Sequence, residues 1–261
     1  MVTGLNIFRE HFRDFEGAMT LIGGAACDEW FTSNGMAFRA TNDLDLVIMM
    51  DQVGQPFLDA LRAFIKDGDY QSGERSDGVP ILYRFTTPSR EDFPFKLELS
   101  SRKPEGFELG DGQRAIPVSA GLGRHSLSAI LLDEAYFNLI RDHHDRRDGL
   151  WVANATSLIP LKAHAWLNLT QARDNGEAVD SRNIRKHRAD VFRLAATLPG
   201  EAGPELPASV LTDLSRFLES FPIRSSDWAA IQDAVRATVG ARLRPETLRE
   251  ALQTYFRLPI E

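Results

Sequence analysis

The chain has 261 residues, 43% of them hydrophobic, and a net charge of −7. That composition excludes a disordered chain and fits one large domain or two ordinary ones, while the acidic balance argues against a uniformly basic nucleic-acid coat but leaves room for a local basic patch. No apolar run approaches the ~20 residues needed to span a bilayer. The opening MVTGLNIFREHFRDFEG lacks the apolar core of a signal peptide, and the single cysteine, Cys27, excludes an internal disulfide or a Cys-rich zinc site. A cytoplasmic protein with no membrane partner is expected.

In chain order, FREHFRDFEG reads as a short amphipathic helix. AMTLIGG is an apolar strand broken by a double glycine. AACDEWFTSNG reads as a helix stopped near Gly35, LDLVIMM as a strand, and QPFLDALRAFIKDG as an amphipathic helix ending near Gly68. ILYRFTT, FPFKLELS, RAIPVS and HSLSAILLD supply further strands, DEAYFNLIRDHHD a short helix, RDHHDRRDG a polar loop and GLWVAN a short strand. From Ser157 onward helices dominate: SLIPLKAHAWLNLTQAR, SRNIRKHRADVFRLAATL, ASVLTDLSRFLESF, DWAAIQDAVRATVG and ETLREALQTYFR. The fold class is α+β: a mixed sheet with flanking helices over residues 1–154, then a helical half over residues 155–261.

Chemistry begins at RATNDLDLVI. Alternate residues of a strand share a face, so Asp43 and Asp45 point together, with Thr41 just before them, and Leu44, Leu46 and Ile48 point the other way. Two adjacent carboxylates repel, and a divalent cation with a taste for hard oxygen ligands, Mg²⁺ or Mn²⁺, removes that penalty. An isolated Asp-x-Asp is more often a polar strand entrance than a metal site. Upstream, Gly23 and Gly24 sit where a strand turns into a helix, which suits close approach of a phosphate to backbone N–H groups and equally suits a plain tight turn. In FKLELS, Lys96 and Glu98 share one face; Glu98 is either a third acid of the same site or an ordinary half-exposed side chain.

The helical half adds two features. Ser157 is the expected cap of its first helix, with Pro160 in the first turn. At about 100° per residue, Lys162 falls on the side of Leu158, Ala165, Trp166 and Leu169, so it either snorkels out or reaches a phosphate. In the next helix, Ile184, Val191, Ala195 and Leu198 form a core stripe, and Arg182, Lys186, Asp190 and Arg193 line the other face. That second face is either solvated, with i,i+4 pairs such as Lys186–Asp190, or a basic patch for a triphosphate or an RNA backbone. The six histidines show no metal-ligand spacing, and Cys27 reads as a small buried hydrophobe.

Strand–GG–helix followed by TNDLDLVI resembles the minimal nucleotidyltransferase fold of the DNA polymerase β superfamily. LIPLKAHAWLNL and KHRADVFRL resemble its AbiEii/AbiGii-like branch, which includes type IV toxins and the mycobacterial MenT toxins. The resemblance spans roughly residues 20–200. It implies transfer of a nucleoside monophosphate from an NTP to an acceptor, tRNA in MenT-like members, with Mg²⁺ held by Asp43 and Asp45; Glu98 as the third acid is assigned from the strand pattern, and a glutamate there departs from the family. It gives catalytic roles to Asp43, Asp45, Lys162 and Asp190. Nucleotide contacts fall to Gly23, Gly24, Thr41, Lys162, Arg182 and Lys186, and the helical half completes the active-site cleft. A toxin role and a cognate antitoxin protein are further expectations of the resemblance. Gly24 departs from it, because many nucleotidyltransferases carry serine there. Two other readings remain open: a nucleotide- or RNA-binding module without catalysis, and a transferase acting on a small molecule or a protein.

Overall fold

The computed structural model describes residues 2–74, 80–103, 115–118 and 128–259. Arg114 and Ser119, at the ends of the expected strand RAIPVS, and His125, Ser126 and Leu127 of HSLSAILLD lie outside the described residues. The chain divides into two compact units, Met1–Glu29 with Ala40–Ala153, and Trp30–Arg39 with Asn154–Glu261. Among the described residues no helix is long and apolar enough to cross a membrane.

The first unit is built on a mixed sheet. Its strands are β1 (Met19–Ile22), β2 (Asp43–Ile48), β3 (Gln71–Glu74), β4 (Pro80–Thr86), β5 (Lys96–Ser101), β6 (Ala115–Pro117), β7 (Ser128–Leu131), β8 (His144–Arg147) and β9 (Leu150–Ala153). The main order is β3-β4-β5-β2-β1-β9-β8, with β7 joined to β5 and β6 to β7. The central pair, β2 with β5, is parallel, and so is β1 with β9, whereas β1 with β2 and β4 with β5 are antiparallel. Such a sheet needs crossovers as well as hairpins. Helices supply several of the connections: α1 (Leu5–Phe12), the first part of α2 (Gly23–Ser33), α3 (Gln55–Asp67) and α4 (Glu134–Asp142).

Apolar spacing explains these helices. Leu5, Phe8 and Phe12 of α1, and Phe57, Leu58, Leu61 and Phe64 of α3, recur at helical intervals and are all buried. Their rings meet: Phe8 lies 4.5 Å from Phe12 and 5.4 Å from Phe64, which lies 4.8 Å from Phe93. On β2, Leu44, Leu46 and Ile48 are buried as the alternation predicts. Val47, on the face of the aspartates, is buried too, so only the Asp43–Asp45 end of that face is open to solvent.

Within the expected polar loop RDHHDRRDG, Arg141 and Asp142 end α4 and His144–Arg147 form strand β8, paired antiparallel with β9. Asp148 and Gly149, with φ of 45° and 77°, make a two-residue hairpin turn between Arg147 and Leu150. Asp-Gly is the usual sequence for a tight turn with both φ values positive, and that signal outweighs the polarity of the segment. His144 stacks on Trp151 at 4.3 Å and shares a hydrogen bond of 3.0 Å with Thr20.

The second unit is helical: α5 (Ala155–Asp174), α6 (Ser181–Ala195), α7 (Ala208–Glu219), α8 (Trp228–Val239) and α9 (Pro245–Phe256). The cap of α5 is Asn154, whose Oδ1 accepts from the Thr156 N–H at 3.1 Å. Ser157 is fully buried inside the helix, and Pro160 falls beyond the first turn. The helix therefore starts earlier than expected, because Asn154, three residues before Ser157, caps it by accepting the free Thr156 N–H. Asp180 caps α6 through the Arg182 N–H at 2.9 Å. Phe192, Phe217, Phe221 and Trp228 form the aromatic core, with Phe192–Trp228 centroids 4.9 Å apart. Buried Arg249 donates to the carbonyls of Leu218 and Phe221 at 2.7 and 2.8 Å, a cation placed where α7 ends.

Phe64 sits at the centre of the first unit's ring cluster and is 1% exposed. Replacing it with alanine is expected to cost about 3–5 kcal/mol in urea denaturation, the usual toll for a buried ring.

Candidate functional site

The pairing of β2 with β5 sets Asp43 opposite Lys96 and Asp45 opposite Glu98. Side chains directly across a pair of strands share a face. The sheet thus gathers three carboxylates and one ammonium on its open face. Lys96 Nζ lies 3.3 Å from Asp43, 3.8 Å from Asp45 and 3.8 Å from Glu98. Burial pushes Lys96 down, but Asp45, Glu98 and Asp43 together hold it above the ordinary lysine range. Arg84, opposite Glu98 on β4, donates from Nε to the Glu98 carboxylate at 2.6 Å.

Gly23 completes this arrangement. Its φ is +72°, and a Cβ placed there would come within 2.0 Å of Asp45 Oδ2. Only glycine lets the Asp45 carboxylate lie against the β1–α2 turn, where the helix start favours negative charge. Gly24 is buried in the first turn of α2. Thr41 precedes β2 in an irregular, half-buried segment.

The donor chemistry suits a hard divalent cation, since Asp43, Asp45 and Glu98 offer only oxygen. Glu98 is also committed to Arg84, and Lys96 reaches all three acids. Among the described residues no group of three or more His, Cys, Asp or Glu side chains has metal-binding geometry.

The second unit holds a different cluster. Asp190 is fully buried and accepts from Arg39 Nη2 at 2.8 Å, Arg39 Nε at 3.3 Å and Arg193 Nη1 at 2.8 Å. Lys162, 4% exposed, brings its Nζ to 3.8 Å from the same carboxylate. Burial pushes Asp190 up, but Lys162, Arg39 and Arg193 hold it below the usual carboxylate range. Three cations thus meet one carboxylate. His187 is pushed down to about 3 by burial and by Lys162, and its Nδ1 is buried without a hydrogen-bond partner among the described residues.

These facts correct the expected face of α6. Asp190 is buried rather than solvated, and Arg193 is only 12% exposed, while Arg182 is 83% exposed and bonds Asp180. The reason is that α6 packs against α5, α8 and α9, so more than one stripe is covered. Lys162 does not snorkel out to water; it stays buried beside Asp190. Sequence reasoning missed Arg84 and Arg39 as partners, whose only signal was their charge, since their partners lie 14 and 151 residues away. Arg193, by contrast, stands on the face of Asp190 one turn along the same helix.

Asp190→Asn would remove the carboxylate that buried Lys162 and part-buried Arg39 and Arg193 face. It is expected to destabilise the protein by about 3–5 kcal/mol, whereas Lys162→Met, which keeps the carboxylate and both arginine pairs, costs clearly less. Thermal and urea unfolding of the two variants check the order. A second expectation concerns pH. His187 has its folded pKa lowered from 6.5 to about 3, so the unfolded chain binds the extra proton first and stability falls as pH drops through that window. Between pH 7 and pH 5 the wild type should lose about 2 kcal/mol more than His187→Gln, read by urea unfolding at both values.

No family model matches the sequence, and no curated protein does. Among solved structures, the crystal structure of an antigenic nucleotidyltransferase-like protein from Paracoccidioides brasiliensis is similar at 15% identity, covering 93% of each chain with a TM-score of 0.39. At that TM-score the chemistry has to be argued from this chain's own side chains.

Proposed function

We propose that this chain is a nucleotidyltransferase that moves a nucleoside monophosphate from an NTP to an acceptor hydroxyl. The observation that carries the reading is the Asp43–Asp45 pair on the open face of β2, with the Asp45 carboxylate held against the glycine turn at the start of α2. A plain polar strand entrance needs neither the close approach at Gly23 nor the third acid in register at Glu98. Asp43 and Asp45 are the residues that would hold Mg²⁺ or Mn²⁺, with Glu98 as a weaker third because Arg84 shares it. When bound, the cation neutralises phosphate charge and lowers the pKa of the attacking hydroxyl.

The reaction joins the acceptor oxygen to the α-phosphorus and breaks the α–β anhydride, releasing pyrophosphate and a proton. Such transfers need positioning and charge compensation more than covalent help. Lys162 is the lysine that the resemblance assigns to a nucleotide phosphate, and Asp190 holds it in place. The exposed Arg182 and the neighbouring Lys186 suit phosphates of a nucleotide or an RNA backbone. The proposed acceptor is tRNA, and the proposed setting is the toxin of a type IV toxin–antitoxin pair with a cognate antitoxin protein.

A second reading has one observation in its favour. Lys96 already neutralises part of the acid cluster, as a nucleotide- or RNA-binding module without catalysis would allow. The assay that separates them incubates the protein with α-labelled NTPs, Mg²⁺ and total tRNA, beside Asp45→Asn. The transferase predicts pyrophosphate release and labelled RNA that fall roughly a hundredfold or more in the variant. Nucleotide binding with no pyrophosphate release, or equal labelling by both proteins, sinks the transferase.

A further inference from the structure

At the end of β2 away from Asp43 and Asp45, the first unit holds a pocket of about 270 Å³. Met49 and Gln52 come from the segment just after β2, Gly17 from the segment just before β1, Trp151 from β9, and Phe137 and Arg141 from α4. The lining is mainly apolar, and much of it is flat. Phe137 and Met49 are buried, and Trp151 stacks on His144 with the ring centroids 4.3 Å apart and the planes 20° apart.

The charges at this pocket are already matched within the protein. Arg102 Nη2 donates to both oxygens of Asp51 at 2.8 and 2.7 Å, and Arg141 Nε donates to Asp142 at 2.8 Å. A charged ligand would lose hydration against apolar walls without meeting an unmatched partner. The remaining polar groups are neutral. His144 Nδ1 lies 3.0 Å from Thr20 Oγ1, and fully buried Thr20 has no other side-chain hydrogen bond among the described residues, so its hydroxyl donates to Nδ1. Burial pushes His144 below the ordinary histidine value, which keeps the ring neutral. Its own proton then sits on Nε2, as a donor. The exposed Gln52 amide adds two donors and an acceptor.

We propose that this pocket binds a small neutral nitrogen heteroaromatic of one or two fused rings, its face against the ring and thioether walls and its edge bonded to His144 Nε2–H and the Gln52 amide. Size sets the upper limit, because about 270 Å³ takes one or two rings rather than a nucleotide with its phosphates. The stacked rings favour a flat body, and the donors and acceptor favour nitrogen at its edge over a plain hydrocarbon. The site lies at the other end of β2 from the acids, so it stands independently of the transferase reading. Gly17 offers a way to close it. The residue is exposed, its backbone is outside the left-handed region, and a Cβ placed there meets nothing within 4 Å.

The test is a ligand-observed NMR titration of the full chain with benzimidazole and purine, beside indane, a hydrocarbon of the same ring size, at mildly alkaline pH where benzimidazole is uncharged. The wild type should bind at least one of the two heteroaromatics with a dissociation constant on the order of 0.1–1 mM, and indane about fivefold more weakly or worse. Gly17→Leu should weaken heteroaromatic binding by roughly tenfold or more, because its side chain occupies the pocket. Gln52→Leu removes the amide at similar size, so it should weaken the heteroaromatic and leave indane unchanged or tighter. Asp45→Asn should bind the heteroaromatic as the wild type does. Four results overturn the proposal: no binding of benzimidazole or purine up to ~10 mM, indane bound as tightly as either, binding unchanged in Gly17→Leu, or binding lost in a folded Asp45→Asn, which would place the ligand at the acids instead. Should Gly17→Leu fail to fold, unchanged heteroaromatic binding in Gln52→Leu overturns it in the same way.

Discussion

The parallel pairing of β2 with β5 decides most of what is distinctive in the first unit. It joins two segments some fifty residues apart in a register that sets Asp43 against Lys96 and Asp45 against Glu98. Because side chains alternate with a period of two, a slip of one residue would send both acids of β2 toward the core and expose Leu44 and Leu46. The register is therefore held from the back, by the burial of Leu44, Leu46, Leu97 and Leu99. Ser101 adds to it by donating to the Ile48 carbonyl at 2.7 Å, at the far end of the pair. The polar face is a consequence: the apolar face chooses the alignment, and four charged side chains meet as a result.

The second unit solves a related problem with opposite charge. A buried carboxylate is costly unless paired and hydrogen-bonded. Asp190 meets that demand with two arginines in close contact and a lysine slightly farther off. Arg39 arrives from Trp30–Arg39, a stretch that leaves the sequence neighbourhood of the sheet and belongs with the helices. Phe38 packs its ring on Phe31 at 5.1 Å and under the Arg39 guanidinium at 4.9 Å, which fixes the path of this stretch. The ion cluster therefore fastens a remote length of chain as well as concentrating charge. His187, close enough to feel Lys162, is kept neutral by the same surroundings.

Local signals and long-range ones had very different legibility. The helices of both units followed from apolar spacing and stop signals, as with Gly35 after α2 and Leu61 and Phe64 on α3. Boundaries failed where a side chain outside the periodic stretch did the capping, as Asn154 does for α5. The β8–β9 hairpin was hidden by charge, yet Asp148-Gly149 carried its mark. For α6, a helical projection separated an apolar stripe from a charged one, but it could not know that three other helices pack around it.

By itself the sequence determined that this is an α+β chain with a helical second half, and that Asp43 and Asp45 share one face with apolar residues behind them. Those facts are local: they follow from periods of 2 and 3.6 residues and from the few residues that start or stop an element. Only the tertiary structure decided what the charges meet. Lys96 is drawn among three acids by strand pairing, Gly23 is pressed against Asp45 by the turn, and Asp190 is buried among Arg39, Arg193 and Lys162 by helix packing. The physical reason is that a charge acts over a few ångströms of space. Closure of the chain, rather than spacing along it, brings such partners within reach.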